Sequence, residues 1–215
     1  MTFHIIDREN WKRKEYFEHY LAQQTTFSIT NNIRITVLLE NLKKKNYKLY
    51  PAFIFMITKV VNSHKEFRIN FDSEGNVGYW AELLPSYTIF DQKTKTFSSV
   101  WSPHTATFSE FHSEYEKDVE TYIGSGTLFP KTPIPENNVP ISMIPWSSFT
   151  GFNLNINHNE DYLLPIITGG KYSQVNGEFC LPVSLQVHHA VCDGYHASIF
   201  MNDLQRLADE SADWI

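Results

Sequence analysis

Hydrophobic positions recur every three or four residues in several long segments of the chain, which is the spacing of amphipathic helices. The first segment begins at Asn10, a residue type that caps helices, and the third contains Pro51, which suits a first turn. A closing helix is predicted from about Gly194 to Glu210. The other predicted helices lie in NWKRKEYFEHYL, TVLLENLKKKN, YPAFIFMITKVVNSHKEF and TFSEFHSEYEKDVETYI.

Period-two alternation and β-rich composition predict strands between and after these helices. Ile33 and Ile35 of FSITNNIRIT share one face, whereas the proline-rich FPKTPIPENNVP is predicted as a loop that leads directly into more strands. Helices and strands mix without strict βαβ alternation, which favours an α/β fold of the α+β two-layer sandwich type, a large mixed β-sheet with helices packed on it. A single domain over residues 1–215 is expected. The other predicted strands lie in VGYWAELL, SYTIF, FSSVW, ISMIPW, GFNLNI, LLPIITGGKY and FCLPVSLQVHH.

Composition narrows the classes of partner. The net charge is −6 and the one basic run, Lys43 to Lys45, is expected on a solvated helix face, which argues against nucleic acid. Aromatic residues make up 15% of the chain, enough to suggest a site for flat apolar groups. The longest apolar run, Ala52 to Ile57, is too short to span a membrane, and MTFHIIDREN does not resemble a signal peptide. A cytoplasmic protein is therefore expected, with Cys180 and Cys192 as buried thiols.

Candidate chemistry concentrates in LQVHHAVCDGYH, at the end of the last predicted strand. Neighbouring strand residues face opposite sides, so His188 and His189 cannot serve one site together, and a zinc site is disfavoured. A neutral imidazole suits general-base work, although a satisfied core histidine is the more common role for a single residue such as His189. Asp193 could cap the closing helix or pair with a buried cation. Cys192 is better explained as a small residue packed in the turn than as a nucleophile.

The string VHHAVCDGYH, in a chain that also contains NWKRKEYF, ISMIPW, FNLNI and PIITGGKY in that order, resembles the trimeric chloramphenicol acetyltransferase family. The resemblance spans nearly the whole chain. The HHxxxDG motif alone would indicate only the wider superfamily of CoA-dependent acyltransferases, whose fold is implied here too. The flanking motifs favour the narrower family.

The resemblance assigns roles to residues of the motif and of the flanking segments. It implies that His189 is the general base that takes the proton from the primary hydroxyl of chloramphenicol while that oxygen attacks the thioester of acetyl-CoA. It also implies that Ser142 stabilises the oxyanion. Direct transfer in a ternary complex is expected because the chain offers no nucleophile with an evident activating base. Asp193, Arg13 and His188 would support the site, with Asp193 paired to Arg13.

The resemblance further implies a homotrimer that binds chloramphenicol and acetyl-CoA without a metal, with an active site at each subunit interface. His189 would come from one subunit and most of the antibiotic pocket from its neighbour. Without the resemblance, the pocket positions would be interpreted as core or sheet packing. The implied antibiotic-binding residues are Tyr20, Phe97, Phe129, Leu154 and Thr168, and the implied coenzyme-side aromatics are Trp146 and Tyr172.

Two alternatives stay open. The first is an O-acyltransferase of the same superfamily with another small alcohol, or a dihydrolipoyl thiol, as acceptor; the absence of lipoyl-domain or linker segments argues against the thiol. The second is a non-catalytic trimeric ligand-binding protein in which the histidine pair is structural. A Rossmann or nucleotide-hydrolysing site is not supported, because ITGGKY lacks the glycine spacing that such sites need.

Overall fold

The computed structural model describes residues 2–154 and 162–215. Within these ranges the helices follow the predicted hydrophobic spacing, with boundaries that differ by a few residues. Short 3-10 helices occupy Lys65–Arg68 and Ser211–Asp213. The α-helices are α1 (Lys14–Ala22), α2 (Thr36–Lys45), α3 (Leu49–Ser63), α4 (Phe108–Tyr122) and α5 (Gly194–Asp209).

The longest strands of the described residues are β2 and β10, which are neighbours, and β5. The strands are β1 (Phe3–Ile5), β2 (Thr26–Arg34), β3 (Ile69–Phe71), β4 (Val77–Trp80), β5 (Leu84–Asp91), β6 (Thr96–Trp101), β7 (Asn138–Met143), β8 (Ile166–Gly169), β9 (Ser173–Val175) and β10 (Glu178–His188).

The strands form one large mixed sheet and one small sheet. The large sheet has the order β2-β10-β8-β7-β5-β6, with β9 attached to β10, and the small sheet has the order β1-β4-β3. The pairs β5–β7 and β7–β8 are parallel, whereas β2, β9 and β8 are each antiparallel to β10. The predicted large mixed sheet with helices packed on it is therefore confirmed.

Helices α2 to α5 pack against strands of the large sheet. α3 is buried along most of its length, and α4 and α5 bury the apolar stripes that their spacing predicts. Along β10, Leu181, Val183, Leu185 and Val187 belong to the same hydrophobic core as these helices. The alternate residues of β10 are buried as well, so both faces of this central strand are covered.

Several local predictions need correction. α1 begins at Lys14 rather than Asn10, because the preceding residues form turns. β10 ends at His188, so His189 lies on the following turn. The strand predicted in GFNLNI is absent at residues 151–154, and its last two residues lie outside the described ranges. Lys43 to Lys45 are exposed on α2, as predicted. No helix in the described ranges is long and apolar enough to cross a membrane.

Candidate active site

The ring of His189 is oriented by its own turn. Its Nδ1 lies 3.0 Å from the carbonyl oxygen of Cys192, and its backbone N–H donates to the carbonyl oxygen of Thr25 at 2.8 Å. Because a carbonyl oxygen can only accept, this contact requires the proton on Nδ1. The other ring nitrogen, Nε2, then carries the lone pair that can accept a proton from a substrate.

Two aromatic side chains hold the His189 ring from its sides. Tyr20 of α1 lies flat against it, with ring centroids 3.8 Å apart and an angle of 10° between the planes. Phe27 of β2 meets it edge-on at 5.2 Å. His189 itself is half-buried. The neighbouring His188 is buried. Its Nδ1 accepts a hydrogen bond from the backbone N–H of Ala190, so its side chain stabilises the turn.

Arg13 ties the start of α1 to the His189 turn. Its Nη2 donates to the carbonyl oxygen of His189 at 2.9 Å, its Nε to that of Ala190 at 2.8 Å, and its Nη1 to Oδ2 of Asp193 at 3.0 Å. The side chain is mostly buried, so these bonds form in a region of reduced solvent screening. The predicted Arg13–Asp193 pair is therefore present, and the guanidinium also contacts the backbone beside the proposed base.

Asp193 combines the two roles that the sequence left open. Its Oδ1 accepts the backbone N–H groups of Tyr195 and His196, which caps the N-terminus of α5, while Oδ2 accepts from Arg13. Partial burial acts to raise the pKa of Asp193, but the hydrogen bond from Arg13 and the neighbouring charges outweigh it and hold the pKa below its usual value. The carboxylate is thus ionised and structural at neutral pH.

Ser142 lies in a different part of the sheet, on β7. Its Oγ is 3.0 Å from Oγ1 of Thr168 on β8, and it borders a cleft of about 480 Å³ between the sheet and α4. Phe97 and Trp146 line the same cleft, as do Tyr50 and Tyr115. Thr168 is buried, and its hydrogen bond to Ser142 satisfies its hydroxyl.

Sheet geometry separates Ser142 from His189 within one chain. Ser142 is paired with Thr168, and Thr168 with Ser184, so these three residues form a row across β7, β8 and β10. His189 lies five residues farther along the chain from Ser184. With about 4.8 Å between strands and about 3.3 Å per residue, Ser142 and His189 are about 20 Å apart. One chain alone does not bring both residues to one reacting bond.

Most of the apolar residues that the resemblance assigned to ligand binding lie at the surface. Large apolar side chains are normally buried when they serve only the core, so the core interpretation is wrong for these positions. Phe97 and Trp146 are the two of this group that line one cleft. The five with exposed fractions between 41% and 57% are Phe97, Phe129, Trp146, Leu154 and Tyr172.

Gln186 holds the backbone of Leu154 in place, a role that the sequence did not predict. Its Oε1 accepts the backbone N–H of Leu154 and its Nε2 donates to the carbonyl oxygen of Leu154, both at 2.9 Å. Ser184, on the same face of β10, donates to the carbonyl oxygen of Phe152 at 2.6 Å. The segment with Leu154 therefore crosses the polar face of β10. A polar residue at alternate positions of an apolar strand was the available signal.

Cys192 is not placed to act as a nucleophile. It is buried, its Sγ lies 3.7 Å from the carbonyl oxygen of Glu66, and burial raises the pKa of its thiol. Cys180 is also a buried free thiol. Within residues 2–154 and 162–215, no three His, Cys, Asp or Glu side chains cluster in a way that could hold a metal ion.

The fold is one that acetyltransferases share. A solved chloramphenicol acetyltransferase superimposes with a TM-score of 0.84, at 21% identity, over 96% of this chain and 100% of its own. A dihydrolipoamide acetyltransferase from Azotobacter vinelandii superimposes with a TM-score of 0.66, at 15% identity, over 93% of this chain and 87% of its own. At these identities the likeness concerns the fold alone.

The sequence itself gives the narrower assignment. The family model described as chloramphenicol acetyltransferase matches residues 1–205. A chloramphenicol acetyltransferase of Staphylococcus aureus is 60% identical over 215 residues, which cover 100% of both chains. One of Clostridium butyricum is 50% identical over 216 residues, covering 100% of this chain and 99% of its own. The chain belongs to the chloramphenicol acetyltransferase family, as its motifs predicted.

Proposed function

We propose that this protein transfers the acetyl group of acetyl-CoA to the primary hydroxyl of chloramphenicol. Membership of the family supports the two substrates. The observation that carries the chemistry is the contact between Nδ1 of His189 and the carbonyl oxygen of Cys192, because it leaves Nε2 as the proton acceptor. Tyr20 and Arg13 hold the ring and its turn in that orientation.

The reaction begins with proton removal by His189. Nε2 takes the hydroxyl proton as the alcohol oxygen forms a bond to the thioester carbonyl carbon, and the carbonyl electron pair moves to oxygen. When the tetrahedral intermediate collapses, the C–S bond breaks and the CoA thiolate takes the proton back from Nε2. A positioned general base of this kind contributes about 10²–10⁴-fold to the rate.

Ser142 is the proposed donor to the oxyanion. If Thr168 donates its hydroxyl proton to Oγ of Ser142, the Ser142 proton is available for the charge that develops on the thioester oxygen. Loss of one such donor typically costs roughly 10²–10³-fold in turnover. Direct transfer in a ternary complex follows from this scheme, since Cys192 is a buried thiol and no acyl-enzyme nucleophile is invoked.

A complete site needs residues of two subunits. The separation of about 20 Å between Ser142 and His189 supports a homotrimer in which His189 of one subunit faces Ser142 of its neighbour. The exposed apolar residues support the same arrangement, because contact with a neighbouring subunit would cover them. In this assembly Tyr20, Phe97, Phe129, Leu154 and Thr168 contact chloramphenicol, and Trp146 and Tyr172 lie on the coenzyme side.

A coenzyme-release assay tests the function. The protein is mixed with acetyl-CoA and chloramphenicol, and free CoA thiol is followed with a thiol reagent. Chloramphenicol-dependent release supports the proposal; release with other small alcohols only would favour a different acceptor, and no release with any alcohol would favour a non-catalytic ligand-binding protein. An acetylated side chain trapped during turnover would contradict direct transfer.

Resistance is the expected consequence in the cell, with the reaction in the cytoplasm. The two buried free thiols are compatible with that reducing compartment. Expression of the protein in a susceptible bacterium is expected to raise the chloramphenicol concentration that the cells tolerate, whereas the His189→Ala variant is expected to have no effect. Equal tolerance with both proteins would contradict a catalytic origin of resistance.

A further inference from the structure

The segment that carries Phe129 is bound along the edge strand β6. The backbone N–H of Ser99 donates to the carbonyl oxygen of Leu128 at 2.6 Å, and the hydroxyl of Ser98 donates to the carbonyl oxygen of Thr127 at 2.7 Å. These bonds hold the segment on the side that precedes Phe129. Phe129 itself is 49% exposed, so only about half of its surface is packed against this chain.

On the other side of Phe129 the segment is held by a buried ion pair. Nζ of Lys131 donates to Oδ1 of Asp118 on α4 at 2.7 Å, and the two side chains are only 17% and 5% exposed. Oδ2 of Asp118 accepts from the hydroxyls of Ser102 at 2.9 Å and Tyr87 at 3.1 Å. Burial raises the pKa of Tyr87, so its hydroxyl stays protonated and can donate.

Lys131 is enclosed more tightly than a surface lysine. Its ammonium lies 4.9 Å from the centre of the Trp101 ring, and the indole N–H of Trp101 donates back to the carbonyl oxygen of Lys131 at 3.3 Å. Burying two charges in a pair is costly, and an apolar pair would often stabilise a fold as well. The ion pair instead constrains geometry, because it fixes the position of the Lys131 backbone relative to α4 and β6.

We propose that the Asp118–Lys131 ion pair is a positioning device that holds Phe129 in the acceptor pocket and thereby sets the affinity for chloramphenicol. The inference rests on the proposed function, in which Phe129 contacts the antibiotic. Neither member of the pair touches the reacting atoms. Their effect is therefore expected in the KM for chloramphenicol and not in the KM for acetyl-CoA or in kcat.

The decisive variant removes both charges together. Lys131→Met or Asp118→Asn alone leaves one partner buried without its counterion and destabilises the fold. The double variant D118N/K131M removes both charges and keeps one acceptor for Tyr87 and Ser102, but the new side-chain NH2 loses its partner. Urea unfolding of the double variant, measured beside its kinetics, therefore separates positioning from stability. Arg206→Met, which removes exposed ion pairs with Asp203 and Glu210 near the end of α5, is the control.

Two measurements read the outcome. Hydrogen exchange of the Ser99 amide, which donates to the carbonyl oxygen of Leu128, is expected to quicken in D118N/K131M and to stay unchanged in Arg206→Met. The chloramphenicol KM is expected to rise about tenfold, the size of one impaired apolar pocket contact. Phe129→Ala is expected to raise that KM in the wild-type background and to add little in the double variant.

The outcomes distinguish this inference from the proposed function. Wild-type exchange rates in D118N/K131M, or an unchanged chloramphenicol KM, would overturn the positioning role while the parent activity stands. A parallel loss of kcat and of acetyl-CoA affinity would also overturn it, since that pattern indicates general damage. A wild-type protein that does not acetylate chloramphenicol would overturn the proposed function, and the role of the pair in antibiotic affinity with it.

Discussion

The ring of Tyr20 lies flat on the ring of His189, with centroids 3.8 Å apart and planes within 10° of parallel. At the edge of the imidazole ring, Nδ1 of His189 is hydrogen-bonded to the carbonyl oxygen of Cys192. The stack restricts rotation of the imidazole, and the hydrogen bond selects which ring nitrogen carries the proton. A residue of α1 thereby contributes to the orientation of a base that follows β10.

Tyr20 is expected to act through its ring rather than through its hydroxyl. Tyr20→Phe keeps the stack, so its kcat/KM should remain within about twofold of wild type, whereas Tyr20→Ala should lose about tenfold, the size of one lost aromatic contact. Steady-state kinetics with chloramphenicol and acetyl-CoA checks both. Equal losses in the two variants would show that the hydroxyl, and not the stack, is what matters.

Arg13 is expected to stabilise the fold more than an ordinary surface arginine. Arg13→Met removes three hydrogen bonds to the turn, so the free energy of unfolding should fall by on the order of 3 kcal/mol. Arg8→Met removes an exposed pair with Glu18 and should change it by about 0–1 kcal/mol. Urea unfolding measures both, and similar values for the two variants would refute the role of Arg13.

The lowered pKa of Asp193 predicts that the stability difference between wild type and Asp193→Asn depends on pH. The pKa is lower in the folded protein, so the carboxylate stabilises the fold above the unfolded value of about 3.9, and this contribution is lost as the pH falls through the folded value. Wild type should therefore be more stable than Asp193→Asn at pH 7, with the difference shrinking below about pH 4. Urea unfolding across this range checks it. A difference that stays constant down to pH 3 would argue against the ionic contribution.

Gln186 is expected to influence antibiotic binding through Leu154. Gln186→Met keeps the length of the side chain but loses both hydrogen bonds to the Leu154 backbone, so the chloramphenicol KM should rise about tenfold with little change in the KM for acetyl-CoA. Gln205 offers a matched control, because its amide binds the backbone N–H and carbonyl of Arg34 in the same way. If Gln205→Met raises the chloramphenicol KM as much, the effect of Gln186 is not local.

Much of the fold follows from local patterns. The apolar stripes of α4 and α5 are long enough to predict both helices to within a residue or two. By contrast, β1, β3 and β9 have three residues each, too few for alternation to be recognised. A single domain over 1–215 stays a prediction, which one cooperative unfolding transition would support.

The site was less accessible to local reasoning because its contacts join distant parts of the chain. Arg13 and Asp193 are 180 positions apart, and spacing could not pair them; only the family resemblance did. The Asp118–Lys131 pair and the contact of Gln186 with Leu154 were not predicted, because a charged or amide side chain in a sequence does not reveal its partner. The catalytic and binding roles of the predicted site residues stay predictions.

Subunit complementation tests the central claim, that one subunit supplies His189 and its neighbour supplies Ser142. His189→Ala is expected to lose more activity than Ser142→Ala, about 10²–10⁴-fold against 10²–10³-fold. After the two inactive variants are unfolded together in equal amounts and refolded, three quarters of the trimers contain both chains, each with one intact site of three. About a quarter of wild-type activity per chain should then return. Activity no higher than the average of the separate variants would contradict a shared site.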